Sequence, residues 1–429
     1  MSRVLEYFKI ITATPRCSYK TEKMKEKIIE ISKDLGYEVK SDKSGNLLCQ
    51  KGTPRVCLQS HYDMVCLGDF DNIELIEKDG ILKAKNSTLG ADNGMGMAIM
   101  FACMEKFDNL ECLFTNDEEV GLLGAANLEL QIASSKLLNL DGEYEKDIYI
   151  GCAGGVDIIS KFELEYMSLD AEEVIYEVSI KDLPGGHSGI DINKEVDSAL
   201  KVLAKELVKH DLKLLHVEGG EFRNSISKRA KAIVSTCKDL KLHNSALKIQ
   251  KVEYKREYIK NGENLIKSLH AFAQGVRGFD EKLNIPSTSI NLGVVGIEDD
   301  VLSIACAARA MKNSDLKNLA DETESFFQLI GCKTIQNDGH EPWVPNVGEF
   351  ANEVKDQMQK VYESAEFCAI HAGLECGILM QSQSKQIEAV AMGPTIRFPH
   401  SLREECDVES VQRISLVVER IINGINEVS

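Results

Sequence analysis

The chain has no excess of positive charge: 50 lysines and arginines stand against 68 aspartates and glutamates, for a formal net charge of −18. That balance excludes nucleic acid and anionic membranes as main partners, because both require a basic face. A basic stretch does run through Lys231, Lys238, Lys241, Lys248, Lys251, Lys255 and Arg256. It has no interleaved aromatics, and it reads as the solvated face of a helix-like segment. No apolar run approaches the roughly 20 residues needed to span a bilayer. The first twenty residues lack an apolar core followed by a small-residue cleavage site, so no signal peptide is expected. The thirteen cysteines are scattered and include no Cys-x-x-Cys pair. That usage predicts reduced thiols in a cytoplasmic protein rather than a disulfide framework or a zinc-thiolate site. No internal repeat and no low-complexity segment is present.

With 43% apolar and 28% charged residues over 429 positions, the chain is a soluble globular protein too long for one ordinary core. Its first third alternates short apolar strands with polar tips and helices, the pattern of an α/β domain. The strand over Val56–Ser60 delivers His61 and Asp63, and Glu111–Thr115 delivers Glu118 and Glu119. Lys136–Leu140 delivers Asp141. Helices are predicted over Leu5–Thr12 and Thr21–Leu35. From about Gly155 the pattern changes to alternating strands with a helix over Lys194–Lys209, a charged helical region over Leu247–Ala273 and a helix over Leu316–Leu329. The α/β pattern then returns, with a helix over Gly348–Glu363 and an amphipathic one over Val408–Ile425. The predicted organisation is a catalytic domain in two parts, 1–156 and 339–429, with an inserted α+β domain over 157–338.

In such sheets ligands bind at the carboxyl ends of the strands, where this chain places its candidate site. Thr88 to Gly96 holds Asp92 among glycines at 90, 94 and 96, just before an apolar run that reads as a buried helix. Taken alone, Asp92 could be a helix cap. His61 and Asp63, two apart on a strand end, point to one face, which suits a metal ligand and the carboxylate that orients it. Two adjacent acids, Glu118 and Glu119, can divide the work between metal binding and general base. Asp141 closes a buried strand and needs a partner. Joined by His400, these residues form a His and carboxylate set suited to zinc, or to manganese or cobalt. Asp92 is then the natural bridge between two ions.

Several blocks carry a resemblance: Ser60-His61-Tyr62-Asp63-Met64-Val65, Thr88 to Gly96, Asp117-Glu118-Glu119-Val120-Gly121, Asn139-Leu140-Asp141-Gly142, Ile150 to Gly155, Gly185-Gly186-His187-Ser188-Gly189, Arg223-Asn224-Ser225-Ile226, His371 to Gly377 and Gly393 to Ser401. In this order they resemble the M20 metallopeptidases, most of all the aminoacyl-histidine (Xaa-His) dipeptidases, also called cytosolic non-specific dipeptidases. The resemblance implies a discontinuous α/β zinc-peptidase (phosphorylase/hydrolase-like) domain with an inserted lid. It implies one Zn²⁺ on His61, Asp92 and Asp141 and a second on Asp92, Glu119 and His400. Asp63 would clamp His61, and Glu118 would activate the metal-bridging water that attacks an unblocked dipeptide. A cis peptide would follow Asp92. His187 would stabilise the oxyanion and Asn224 bind the substrate backbone. Arg309 would clamp the terminal carboxylate, and His371 and Glu375 would line the pocket for the amino end. A peptide is the implied substrate, and a second copy joined through the lid is the candidate protein partner.

The chain departs from the family at Asp117, at Gly142-Glu143-Tyr144-Glu145, and at Phe398-Pro399 before His400. None of these removes a ligand; they bear on the substrate side chain. An N-acyl amino acid deacylase or a tripeptide aminopeptidase of the same fold is the alternative activity. A metal-binding but inactive scaffold is the alternative from another class.

Overall fold

A computed structural model describes residues 2–427, apart from the side chains of residues 338 and 427. The chain forms two compact units. The first comprises Met1–Cys152, Trp343–Ala369 and Leu374–Ser429, and the second comprises Ala153–Pro342 with the short return Ile370–Gly373.

The first unit is built on an eight-stranded sheet in the order Glu38–Ser41, Leu47–Lys51, Leu110–Thr115, Val56–His61, Lys136–Asn139, Glu388–Ala391, Asp147–Cys152, Glu366–Ile370. Val56–His61 pairs in parallel with both Leu110–Thr115 and Lys136–Asn139. Every residue of Val56–His61 and Leu110–Thr115 is buried, as strands covered on both faces must be. The helix Ala91–Lys106 is buried almost throughout. Arg3–Thr12 packs beside it, with the Tyr7 and Phe101 ring centroids 5.4 Å apart. Phe101 in turn stacks on Phe114 of the sheet at 5.3 Å. The helix Val408–Glu427 adds Val411, Ile414, Val418 and Ile422 to the same core.

The second unit holds a nine-stranded sheet. Its pairings are antiparallel, among them Val174–Ile180 with Ala230–Thr236 and Ile285–Glu298 with Val301–Ala310. Three helices, Ala199–Leu207, Gly262–Ala271 and Asn313–Gln328, share one core with the strands through residues such as Leu203, Leu269, Ala320, Val234 and Ile304. No helix among the described residues is long and apolar enough to cross a membrane.

Three expectations need correction. The helix expected over Lys194–Lys209 is only Ala199–Leu207, because turns occupy 191–195 and Glu195 is left-handed at φ 53°. The expected helical region over Leu247–Ala273 is instead two short strands, Lys248–Lys251 and Glu257–Ile259, and the helix begins only at Gly262. Lys248–Lys251 pairs with Val174–Ile180 at the edge of the sheet, so the basic residues there guard a strand edge rather than lie along a helix. The cysteines are not all reduced. Met64 N–H donates to Arg16 O at 3.0 Å, which lays the two segments together, and Cys17 and Cys66 form a disulfide with Cα atoms 5.6 Å apart. Sequence spacing gave no sign of that pairing, because the contact spans 49 residues.

Candidate metal centre

His61 closes the central strand Val56–His61 and is 1% exposed. Its Nδ1 lies 3.3 Å from Asp63 Oδ1. Asp63 is fully buried and accepts Ser18 Oγ–H at 2.8 Å and the backbone N–H groups of Glu118 and Glu119 at 3.0 and 3.3 Å. One carboxylate therefore ties the histidine to the tip that carries the glutamate pair. Burial pushes the Asp63 pKa up, but the His61 ring and these donors outweigh it and hold the carboxyl below its ordinary range.

Asp92 sits at a kink near the start of the helix Ala91–Lys106, and its peptide bond to Asn93 is cis, as the resemblance implies. Its two oxygens face two histidines: Oδ1 is 3.1 Å from His61 Nε2, and Oδ2 is 2.9 Å from His400 Nε2. Asp141 Oδ1 approaches His61 Nε2 at 3.4 Å, and Glu119 Oε2 approaches His400 Nε2 at 2.8 Å. The structure thus brings the five candidate ligands into two triads, His61–Asp92–Asp141 and Asp92–Glu119–His400, which share Asp92. Glu118 lies beside the first histidine, in a further group with His61 and Glu119.

The loop that presents Asp92 is held by residues the sequence reading missed. Glu404 is 3% exposed, and its carboxylate accepts the N–H groups of Leu89, Gly90, Ala91 and Asp92 at 2.8, 2.9, 2.8 and 3.3 Å. From the other side the buried Arg16 guanidinium donates to Asp63 O at 2.8 Å, to Tyr62 O at 3.3 Å and to Gly90 O. Gly90 is left-handed at φ 66°, and a Cβ there would meet Arg16 Nη2 at 2.5 Å, so the clamp requires glycine. Asn93 donates to Asp141 and accepts Ser60 Oγ–H at 2.6 Å. Nothing in the local sequence flags Glu404 or Arg16, whose partners lie far along the chain.

The electrostatics call for cations. Burial, followed by the Asp92 charge, raises the Glu119 carboxyl, and burial is the leading cause for Asp141 as well. Glu118 is raised well above its ordinary range by burial, with Glu119, Asp141 and Glu375 adding to it. His61 rises despite its burial because Asp141, Asp63 and Asp92 surround it. Glu143, which follows Asp141, is pushed up to about 8 by burial and by the Asp92 and Asp141 charges. Glu119 Oε1 is buried with no hydrogen-bond partner. Crowded carboxylates, imidazole nitrogens and an unsatisfied buried oxygen fit a pair of divalent ions of the zinc class, which bind N and O donors of this kind.

The remaining candidates divide between the units. Glu375 is fully buried in the first unit, where its Oε2 accepts Gln59 Nε2 at 2.6 Å and Thr115 Oγ1 at 2.7 Å; burial pushes it up to about 7. His187, Asn224, Arg309 and His371 belong to the second unit. His187 Nδ1 accepts the N–H groups of Gly189 and Ile190 at 3.3 and 3.2 Å, so the neutral ring carries its proton on Nε2. A Cβ on Gly189 would stand 2.3 Å from His371 O, 3.2 Å from Arg309 Nε and 3.2 Å from His187 Cε1. That glycine is what lets the Arg309 and His187 side chains and the His371 carbonyl come close together. His371 Nε2 pairs with Ser289 Oγ at 2.7 Å. Asn224 is exposed on the neighbouring turn, and its carbonyl accepts Ser188 N–H at 2.8 Å.

Two triads of candidate ligands thus lie on an α/β unit that a second unit interrupts in the chain, and known proteins resemble it in sequence and fold. The chain is 32% identical to the cytosol non-specific dipeptidase of Escherichia coli (strain K12), over 95% of this chain and 94% of that one. The structure resembles that of aminoacylhistidine dipeptidase from Vibrio alginolyticus, with a TM-score of 0.78 and 26% identity over 98% of this chain and 96% of that one. It shares its fold with an M20 family metallo-carboxypeptidase of Sulfolobus solfataricus, with a TM-score of 0.57 and 11% identity over the full length of both. No family model matches. The chain belongs to the M20 metallopeptidases. Within them its similarity is to the cytosol non-specific dipeptidases.

Proposed function

We propose that the protein is a two-metal dipeptidase acting on unblocked dipeptides, Xaa-His substrates among them, in the cytoplasm. The observation that carries this reading is Asp92, whose two oxygens lie 3.1 and 2.9 Å from the two histidine nitrogens. A carboxylate so placed suits the bridge of a two-metal hydrolase. Two Zn²⁺ ions, with Mn²⁺ or Co²⁺ as substitutes, would rest on His61, Asp92 and Asp141 and on Asp92, Glu119 and His400. Bound there, they polarise the scissile carbonyl and lower the pKa of water.

The chain's own groups complete the reaction. Glu118, beside His61 and Glu119, takes the proton from the attacking water and hands it to the leaving amine. Asp63 fixes the His61 ring so that Nε2 faces the centre. In the second unit, which would act as the lid, His187 offers its Nε2 proton to the developing oxyanion. Arg309 pairs with the free carboxylate of the dipeptide, for which a guanidinium is the bidentate match. Asn224 binds the substrate backbone, and His371 and Glu375 serve the amino end.

One panel on metal-stripped protein, with zinc, manganese or cobalt restored in turn, tests this reading. β-Alanyl-histidine and other free dipeptides should be cleaved, and only with metal. Faster release of acetate from acetyl-amino acids would make the protein a deacylase, and preference for tripeptides an aminopeptidase. Metal uptake without turnover on any of these would make it an inactive scaffold.

A further inference from the structure

A second cluster of histidines and a carboxylate lies in the second unit, and no residue of it belongs to the Asp92 centre. Glu206, in the last turn of the helix Ala199–Leu207, has a side chain only 1% exposed. One turn on, His210 folds back, its N–H donating to Leu207 O at 3.1 Å. His243 comes from the connection between the strands Ala230–Thr236 and Lys248–Lys251. Leu240, Leu242 and Leu247 pin that connection to the core of the unit. The two rings stack with centroids 5.5 Å apart and planes at 22°.

Both rings aim at one atom. His210 Nε2 is 3.3 Å and His243 Nδ1 is 3.0 Å from Glu206 Oε1, which also accepts the His243 backbone N–H at 2.6 Å. Lys209 occupies the other oxygen, Oε2, at 2.9 Å. A carboxylate oxygen has two lone pairs, and here three donors would have to share them. A simple latch of hydrogen bonds therefore leaves one contact over. A cation removes the surplus, because both imidazoles then give lone pairs instead of protons. The spacing agrees. Tetrahedral bonds of about 2.0–2.1 Å set neighbouring donors about 3.3 Å apart. The two His–Glu separations, 3.3 and 3.0 Å, lie at and just below that edge. The carboxyl end of a helix also favours positive charge.

We propose that Glu206, His210 and His243 form a further metal site that takes one divalent ion of the zinc class and ties the 237–247 connection to the helix. Two imidazoles and one carboxylate select zinc, nickel or copper over calcium and magnesium. The His243 side chain, 67% exposed, leaves the remaining coordination position to solvent. This site stands whether or not the dipeptidase reading holds, since its test does not use turnover.

Equilibrium dialysis of the full chain against Zn²⁺, with bound metal counted by mass spectrometry, should find one equivalent fewer in a His210→Ala/His243→Ala variant than in the wild type. His243→Ser alone alters a mostly exposed side chain and guards against a folding defect in the double variant. It should also lose that equivalent at zinc concentrations that saturate the wild type. A folded variant of either kind that binds as much zinc as the wild type overturns the proposal, and the cluster is then a hydrogen-bonded latch.

Discussion

The two sides of Asp92 stand in different surroundings. His61 is 1% exposed at the end of a fully buried strand, and Asp63 fixes its far nitrogen. His400 has a side chain 50% exposed, on the connection between the short strands Ile396–Arg397 and Glu405–Asp407, with its backbone left-handed at φ 55°. The buried strand and Asp63 leave the His61 ring little freedom to lose. The other half rests on an exposed histidine that only Asp92 and Glu119 hold in place, and fixing it on an ion costs more freedom. The ion on His61, Asp92 and Asp141 is accordingly expected to be the tighter of the two.

Asp92→Ala removes the ligand common to both halves and should have the largest effect. It is expected to lose both metals of this centre and nearly all turnover; zinc uptake lowered by fewer than two equivalents relative to the wild type would break the bridging model. Glu118→Ala should lower turnover by about 10²–10⁴-fold, the usual worth of a general base, while metal content stays unchanged. Normal activity in that variant would remove Glu118 from the mechanism. His400→Ala tests the comparison itself: one of the two equivalents of zinc at this centre should remain, and a chelator should strip it more slowly than the first ion leaves the wild type. If both ions leave together, the halves are not unequal. Glu404→Gln keeps the shape but weakens the acceptor of four N–H groups, and should cost roughly 10–100-fold in metal affinity or activity, as groups that orient ligands do. Activity indistinguishable from wild type would mean that Arg16 holds the loop alone.

The smallest effect sharpens a contrast between two buried histidines. His61 gains proton affinity from its carboxylates, whereas burial and then the Arg309 charge push His371 down to about 3. An unfolded His371 protonates near pH 6.5. The unfolded chain therefore takes up the proton first. The stability this ring contributes is complete above about pH 6.5 and is lost toward pH 3 at about 1.4 kcal/mol per pH unit. His371→Gln should flatten the fall in urea midpoint between pH 6 and 4, and an unchanged slope would show that the ring is not the titrating group.

The strand tips were legible because parallel strands bury both faces and leave their polar residues at one end. His61 after Val56–Ser60, Glu118 and Glu119 after Glu111–Thr115, and Asp141 after Lys136–Leu140 all follow from that rule. What stayed hidden depends on distant partners. Glu404 acts on backbone atoms more than 300 positions away, and an Arg16 side chain has no local pattern to betray it. Lys248–Lys251 reads as helix by composition and becomes strand only because the Val174–Ile180 edge is there to receive it.

The Cys17–Cys66 bond joins two segments that both reach Asp63, one through Ser18 and Arg16 and the other through the chain itself. The handling of the sample thus becomes a variable of any experiment on this centre. Reducing agents used in purification would cut a tie beside the His61 brace, and as thiols they also compete for zinc. Metal titrations on this chain are comparable only between preparations whose disulfide content has been counted first.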